Sequence, residues 1–266
     1  MIARGVLSVL KLGGSVLRDD RSYARAALFL QTRLALNQDE RLVVIVSAEH
    51  GTTDDLLAEA QTITDDPSRL ALDLLWSTGE LRSVAVLALH LQKIGVSALP
   101  FNVHQTGLVA DRAAGTSVRP LRLTAALAHA RTVIVPGFLG ISPDGAITSL
   151  GRGGSDLTAV LLAASIRADA CELIKDVAGY YTADPHCDPT ARQIHHLSAA
   201  EALRMADQGC DLVQRAALAA AAESGLHLVV RSMHADAPVT HVHGKERTPT
   251  HGIRDEDDSR GTAVGA

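Results

Sequence analysis

Val6-Leu7-Ser8-Val9-Leu10-Lys11-Leu12-Gly13-Gly14-Ser15 opens the chain with a nearly continuous apolar run, a lysine towards its end and a pair of glycines. A short run that is apolar on both faces belongs inside a parallel sheet covered by helices on both sides. Working outward, similar runs recur at Leu42–Val46, Val96–Phe101, Thr132–Val135, Cys171–Ile174 and Leu226–Val230. Between them, helical periodicity marks Tyr23–Leu36, Leu70–Leu91, Leu121–His129, Asp156–Ile166, Ala199–Ala206 and Leu212–Glu223. The alternation of strand and helix predicts an α/β fold, a three-layer αβα sandwich with a mainly parallel central sheet.

Composition narrows the classes of function. The 266 residues are 47% hydrophobic, enough for one large α/β domain with a packed interior. Only 3% are aromatic, so Ala, Leu and Val must fill that interior. A formal net charge of −5 and the lack of a basic stripe argue against nucleic acid as a partner. No window reaches eighteen uninterrupted apolar residues, and the N-terminus lacks the apolar stretch of a secretory signal, so no membrane partner is expected. Cys171, Cys187 and Cys210 are odd in number and lack CxxC spacing, which suits a reducing cytoplasm. From about Lys245 the sequence turns polar and charged, and residues 245–266 read as a disordered tail after a domain spanning 1–244.

Two glycine-rich segments carry the chemistry. In Lys11-Leu12-Gly13-Gly14-Ser15, glycines let backbone N–H groups approach an anion, and the lysine can place a point charge on a transferring phosphoryl group. The same pentapeptide also reads as a strand ending in a flexible turn with a surface lysine. The second segment, Gly151-Arg152-Gly153-Gly154-Ser155-Asp156, opens an apolar helix. Ser155 or Asp156 can cap that helix, its positive end favours an anion, and Arg152 offers a planar fork for a carboxylate. The competing reading is a well-capped helix after a Gly-rich hairpin, which leaves Arg152 without a purpose.

Taken with three further motifs, these segments resemble the amino acid kinase family, and within it the aspartokinases. Val44-Ile45-Val46-Ser47-Ala48 with Thr52-Thr53-Asp54-Asp55 is similar to the family's second strand and the loop after it. Ser77-Thr78-Gly79-Glu80, Pro136-Gly137-Phe138-Leu139-Gly140 with the second glycine segment, and Asp176-Val177-Ala178-Gly179-Tyr180-Tyr181-Thr182-Ala183-Asp184-Pro185 complete the ordered set. The resemblance, covering about Val6 to Ser232, implies ATP-dependent phosphorylation of the side-chain carboxylate of L-aspartate to 4-phospho-L-aspartate, with Mg²⁺ neutralising the ATP phosphates. It implies catalytic roles for Lys11 and Asp156, the latter orienting Lys11. Thr53, Glu80, Arg152 and Ser155 would hold the amino acid, with Arg152 on its α-carboxylate and Glu80 on its ammonium. Gly13, Gly14, Ser15, Gly153, Gly154, Lys175, Asp176, Tyr181, Asp184 and Pro185 would serve the nucleotide. The N-terminal half would bind the amino acid and residues from about 140 to 244 the nucleotide, in a homodimer. A kinase for another amino acid or small carboxylate or hydroxyl, and a non-catalytic ligand-binding paralogue, are the competing readings.

Departures from the family pattern bear on the nucleotide half. Fewer than forty residues follow Ser232, too few for the paired ACT regulatory domains usual in aspartokinases. Asp211 stands where the family has a lysine towards ATP, a repulsion on the order of 1 kcal/mol or more at contact distance from a polyphosphate. Lys175 or Arg215 could restore the charge, or Asp211 could help hold a metal. The loop Asn102–Gly107 follows the family pattern only loosely. His186, Cys187, His195 and His196 match no common structural-zinc spacing, and His241-Val242-His243 reads as a solvated pair near the tail.

Overall fold

The computed structural model describes residues 5–111, 115–151, 153–184, 187–234 and 237–244. The chain runs through β1 (Leu7–Leu12), α1 (Asp20–Leu36), β2 (Arg41–Val46), α2 (Thr52–Ile63), α3 (Arg69–Lys93), β3 (Leu99–Pro100), α4 (Val103–Thr106), β4 (Leu108–Asp111), β5 (Gly115–Val118) and α5 (Leu121–Leu127). It continues through β6 (Thr132–Pro136), β7 (Leu139–Ile141), β8 (Ile147–Ser149), α6 (Gly154–Ile166), β9 (Ala170–Ile174), β10 (His196–Ser198), α7 (Ala199–Asp207), α8 (Arg215–Ser224), β11 (Leu228–Arg231) and β12 (Thr240–His243). The central sheet has the order β10-β12-β11-β9-β1-β2-β6-β3, and the pairings from β11 to β3 are all parallel. At the other edge β12 runs antiparallel to β11 and parallel to β10. A second, smaller sheet of order β5-β4-β7-β8 stands apart from it.

The two-residue period of the strands sorts the core into two layers. Val9, Val43, Ile45, Val133, Cys171 and Leu173 point to the face covered by α5, α6, α7 and α8. Leu10, Leu12, Val44, Val46, Ile134 and Ile174 point to the face covered by α1 and α3. The expected αβα sandwich is therefore what forms. Local signals set several helix starts: Asp19 and Ser22 make a reciprocal capping box before α1, and Ser198 does the same with Glu201 before α7.

Several elements differ from the sequence reading. The expected strand at Val96–Phe101 pairs only over Leu99–Pro100, at the sheet edge. Helix α2 and the small sheet lack the long apolar runs used to find elements: α2 is held by α3, and the small strands by α3 and by pairing among themselves. His241 and His243 lie on β12 and are half-buried, so the expectation of a solvated pair is corrected. Parallel pairing sets His196 opposite His241, and Val242 between the two turns into the core. Their rings stack on His196 and meet His227 edge-on. Among the described residues no helix is long and apolar enough to cross a membrane. The tail from 245 to 266 lies outside the described residues.

One buried polar network ties α1 to the sheet. Arg33 donates to both oxygens of Glu40, at 2.9 and 2.7 Å, and pairs with Glu172 on β9 at 2.6 Å. Ser8 on β1 donates to Glu40 at 2.6 Å. Removing one partner of a buried pair leaves a charge without compensation, which costs about 3–5 kcal/mol. Arg33→Met strands Glu40 and leaves Glu172 only the more distant Arg231, at 3.7 Å, so a stability loss of about that size is expected by urea denaturation, whereas Arg82→Met, which breaks an exposed pair with Glu49, should cost less than about 1 kcal/mol.

Candidate active site

The same period that sorts the core places two lysines. In β1, Val9 faces the α6 layer, so Lys11 faces it as well; in β9, Leu173 faces it, and Lys175 follows two residues on. Helix α6 opens beneath them, and Asp156 in its first turn meets both. Lys11 Nζ lies 2.9 Å from Asp156 Oδ1 and Lys175 Nζ 2.8 Å from Asp156 Oδ2. The Gln214 backbone N–H points at the same Oδ2 from 3.4 Å. All three charged side chains are almost wholly buried, with 9%, 5% and 11% of the Lys11, Asp156 and Lys175 side chains exposed. Burial alone would push the Asp156 carboxyl up, but the two ammonium groups hold it at about 2. For Lys175, burial outweighs the Asp156 attraction and pulls the ammonium below its ordinary value. Asp156 therefore does not cap α6. The N-cap is Gly153, in the left-handed region at φ 67°, where a Cβ would come within 2.6 Å of the Gln214 side chain.

Beside this cluster, at the carboxyl ends of β1, β2 and β6, lies a cavity of about 550 Å³, within the usual range for a small-molecule site. Lys11, Gly14, Thr53, Glu80, Gly153, Gly154 and Ser155 line it. A Cβ on Gly13 would sit 2.7 Å from Lys11 Nζ, so this turn needs glycine to leave the ammonium in place. Glu80 comes from the middle of α3 and is 3% exposed, and its Oε2 has no hydrogen-bond partner among the described residues. Burial pushes its carboxyl up to about 8, against the opposing pull of the Ala48 N–H and of Lys11. An acid in that condition is a ready partner for a cation entering the cavity. The far wall is apolar: Phe138, in the left-handed region at φ 66°, packs edge-on to Trp76 with centroids 5.9 Å apart. A non-glycine residue in that region is uncommon and is frequent at ligand sites. Arg69 lies over Trp76 at 5.3 Å and is fixed by Asp73 at 2.9 Å and by Ser149.

The model of the amino acid kinase family matches residues 7–232. The chain belongs to the amino acid kinase family. Among its relatives in this family, an aspartokinase from Thermus thermophilus is 39% identical over 241 residues, which is 89% of this chain and 59% of that protein. The chain thus spans well under two thirds of the length of that relative. The crystal structure of aspartate kinase from Synechocystis superposes with a TM-score of 0.79 at 36% identity, over 90% of this chain and 40% of that one. Escherichia coli aspartokinase III in complex with aspartate and ADP gives 0.77 at 27% identity, over 91% and 65%.

For this family member, the residues singled out in the sequence divide into those that converge and those that do not. Lys11, Gly13, Gly14, Thr53, Glu80, Gly153, Gly154, Ser155, Asp156 and Lys175 form one continuous site. Ser15 and Asp176 lie towards the surface, bridged by Arg18, which donates to the Ser15 carbonyl at 2.7 Å and approaches Asp176 at 3.5 Å. Tyr181 makes an isolated bridge with Gln193, while its neighbour Tyr180 is the buried aromatic. Asp184 is exposed and accepts from the Cys187 thiol. Arg152 and Pro185 lie outside the described residues. Arg215 turns away to pair with Asp207 at 2.6 Å, so of the two cations considered as replacements for the lost charge, Lys175 is the one at the site. Sequence reading passed over Trp76, Arg69 and Gln214, whose motifs carry no chemical signature, and left Phe138 inside a motif without a role. Among the described residues no group of three or more His, Cys, Asp or Glu side chains is placed to hold a metal ion.

The Glu80 environment sets a pH dependence. Its carboxyl is raised in the folded protein, so its contribution to stability is complete below about pH 4.5 and is lost as pH rises through about 8. Glu80→Gln removes this term. The variant should gain stability over the unsubstituted protein by a few kcal/mol between pH 5 and pH 8, read by chemical denaturation at both pH values.

Proposed function

We propose that this protein transfers the γ-phosphoryl group of ATP to the side-chain carboxylate of L-aspartate, yielding 4-phospho-L-aspartate and ADP. The observation that carries the reading is one cavity holding both a buried acid suited to an ammonium group, Glu80, and a clamped ammonium suited to a phosphoryl group, Lys11. The resemblance to aspartokinase III crystallised with aspartate and ADP supports the same pair of ligands. In this reading Glu80 pairs with the substrate ammonium, Arg152 takes the α-carboxylate, and Thr53 and Ser155 line the amino-acid side. Gly13, Gly14, Gly153 and Gly154 present backbone donors to the phosphates. Ser15, Asp176, Tyr181, Asp184 and Pro185 flank the rest of the nucleotide. The N-terminal half would hold the amino acid and residues from about 140 onward the nucleotide, with two copies of the chain paired as a homodimer.

The carboxylate oxygen attacks the γ-phosphorus, a new P–O bond forms, and the bond to the β,γ-bridging oxygen breaks, so that ADP leaves with that oxygen and its charge. No proton need be removed from an ionised carboxylate, so the protein's task is to align the two ligands and stabilise the charge on the transferring group. Lys11 does the second, held in position by Asp156. Asp156 is already engaged by two ammonium groups, which suits Mg²⁺ arriving as the counter-ion of the ATP phosphates rather than in a cage of side chains.

In a coupled assay of ADP release, turnover is expected with aspartate and not with asparagine, and Lys11→Ala should lower kcat by at least about 100-fold. A substrate panel in which aspartate is inert while another carboxylate or hydroxyl compound turns over would replace the acceptor. No turnover with any acceptor and no ATP binding by calorimetry would end the kinase reading. A second measurement addresses Glu80: because it is protonated when empty and ionised against an ammonium, aspartate binding at pH 7 should release close to one proton. Calorimetric titration in buffers of different ionisation enthalpy reads that number, and Glu80→Gln should abolish the release.

A further inference from the structure

We infer that Lys175 is a second cation of the phosphoryl-transfer site, contacting the transferring group together with Lys11. This inference rests on the kinase reading above and concerns which side chains carry its charge. The charges at the carboxyl ends of β1 and β9 do not balance. Asp156 brings one negative charge between two ammonium groups, at 2.9 and 2.8 Å. Glu80, the other buried acid near Lys11, is uncharged at neutral pH when the cavity is empty. Asp176 is exposed, next to Lys175 in the chain, and shared with Arg18. Glu49 on the cavity rim is engaged by Arg82, and Arg69 by Asp73. Asp54, also on the cavity lining, is exposed to solvent. Among the described residues the buried cluster thus carries one positive charge in excess.

A buried charge without a partner is unfavourable, and the deficit is met when an anion enters beside it. Lys175 is placed to share that anion. Lys11 lines the cavity, and Lys175 stands just behind that lining, joined to Lys11 through Asp156 and keeping 11% of its side chain exposed against 9% for Lys11. It sits on the same sheet face as Lys11, one strand over and two residues beyond the Lys11–Leu173 register pair. If Lys175 served only to hold Asp156, a neutral donor would do so without the excess charge.

The loop between α7 and α8 supplies the means to test this. It approaches the same carboxylate, since the Gln214 N–H points at Asp156 Oδ2 and the Gln214 side chain packs on Gly153. Asp211, three residues earlier, is exposed on that loop. A lysine at 211 puts a cation on the loop whose Gln214 meets Asp156, and moving the charge from β9 to that loop separates the charge from the residue that carries it.

Three variants are compared in the full chain: Lys175→Met, Asp211→Lys and the two combined. Lys175→Met is expected to lower kcat by about 100-fold or more, with the KM for the amino acid changed less than about threefold. It should also weaken ATP binding by calorimetry. Adding Asp211→Lys should recover at least tenfold in kcat and the ATP affinity. Unchanged turnover in Lys175→Met, or a loss that Asp211→Lys does not recover, overturns the inference and leaves Lys175 as a positioning residue for Asp156. Lys175→Arg keeps the charge if the Met variant fails to fold, and must then retain both folding and ATP affinity; loss of affinity in a folded Arg variant also overturns it. Should the unsubstituted protein show no turnover, the kinase reading fails, while the pattern of ATP affinities still decides the role of Lys175.

Discussion

The carboxylate of Asp156 held between Lys11 and Lys175 is the constraint on which this site depends. It joins the first turn of α6 to the ends of two neighbouring strands of the sheet. None of the three charged groups would be tolerated singly in so dry a place, because desolvation of an isolated ion is far more costly than burial of an apolar side chain. Together they are stable, and the helix start favours the negative member through its dipole. The glycines around them follow from the same requirement. Gly13 leaves room for the Lys11 ammonium, and Gly153 lets the chain turn sharply enough to bring Asp156 under it.

A second carboxylate a short way off behaves oppositely. Asp156 and Glu80 are both buried, yet one is held ionised at about 2 and the other neutral up to about 8. The difference lies in their partners, two ammonium groups against a single backbone N–H and a more distant lysine. Environments that push two acids apart in this way assign them different tasks. Asp156 is a permanent charge that organises cations, and Glu80 is a charge made available when a cation arrives.

Much of the fold could be read from the chain because buried parallel strands leave a plain trace. Val43-Val44-Ile45-Val46 and Cys171-Glu172-Leu173-Ile174 need no tertiary context to be recognised as strands. The small sheet of β4, β5, β7 and β8 left little trace, since strands of only three or four residues owe their shape to pairing and not to composition. Lys11, Gly13 and Asp156 were recognisable from their motifs. Trp76 and Phe138 were not, because one lies inside an ordinary helix and the other becomes distinctive only through its positive φ. The two imidazoles of β12 were misplaced for a related reason. His-Val-His near a polar tail gives no sign that Val242 is a core residue until the strand is paired on both sides.

By itself the sequence determined the layer architecture, the two glycine-rich turns and the identity of the lysine and aspartate they serve. These are properties of local pattern: a period of two or 3.6, and residue types whose backbone freedom or charge allows few uses. Only the tertiary structure decided which of two further cations reaches Asp156. Lys175 and Arg215 are equivalent as letters. One follows β9 on the face that meets α6, and so reaches Asp156; the other starts α8 facing Asp207. That choice is made by strand register and helix packing, which bring together residues 11, 156 and 175 across distances in the chain over which no local pattern extends.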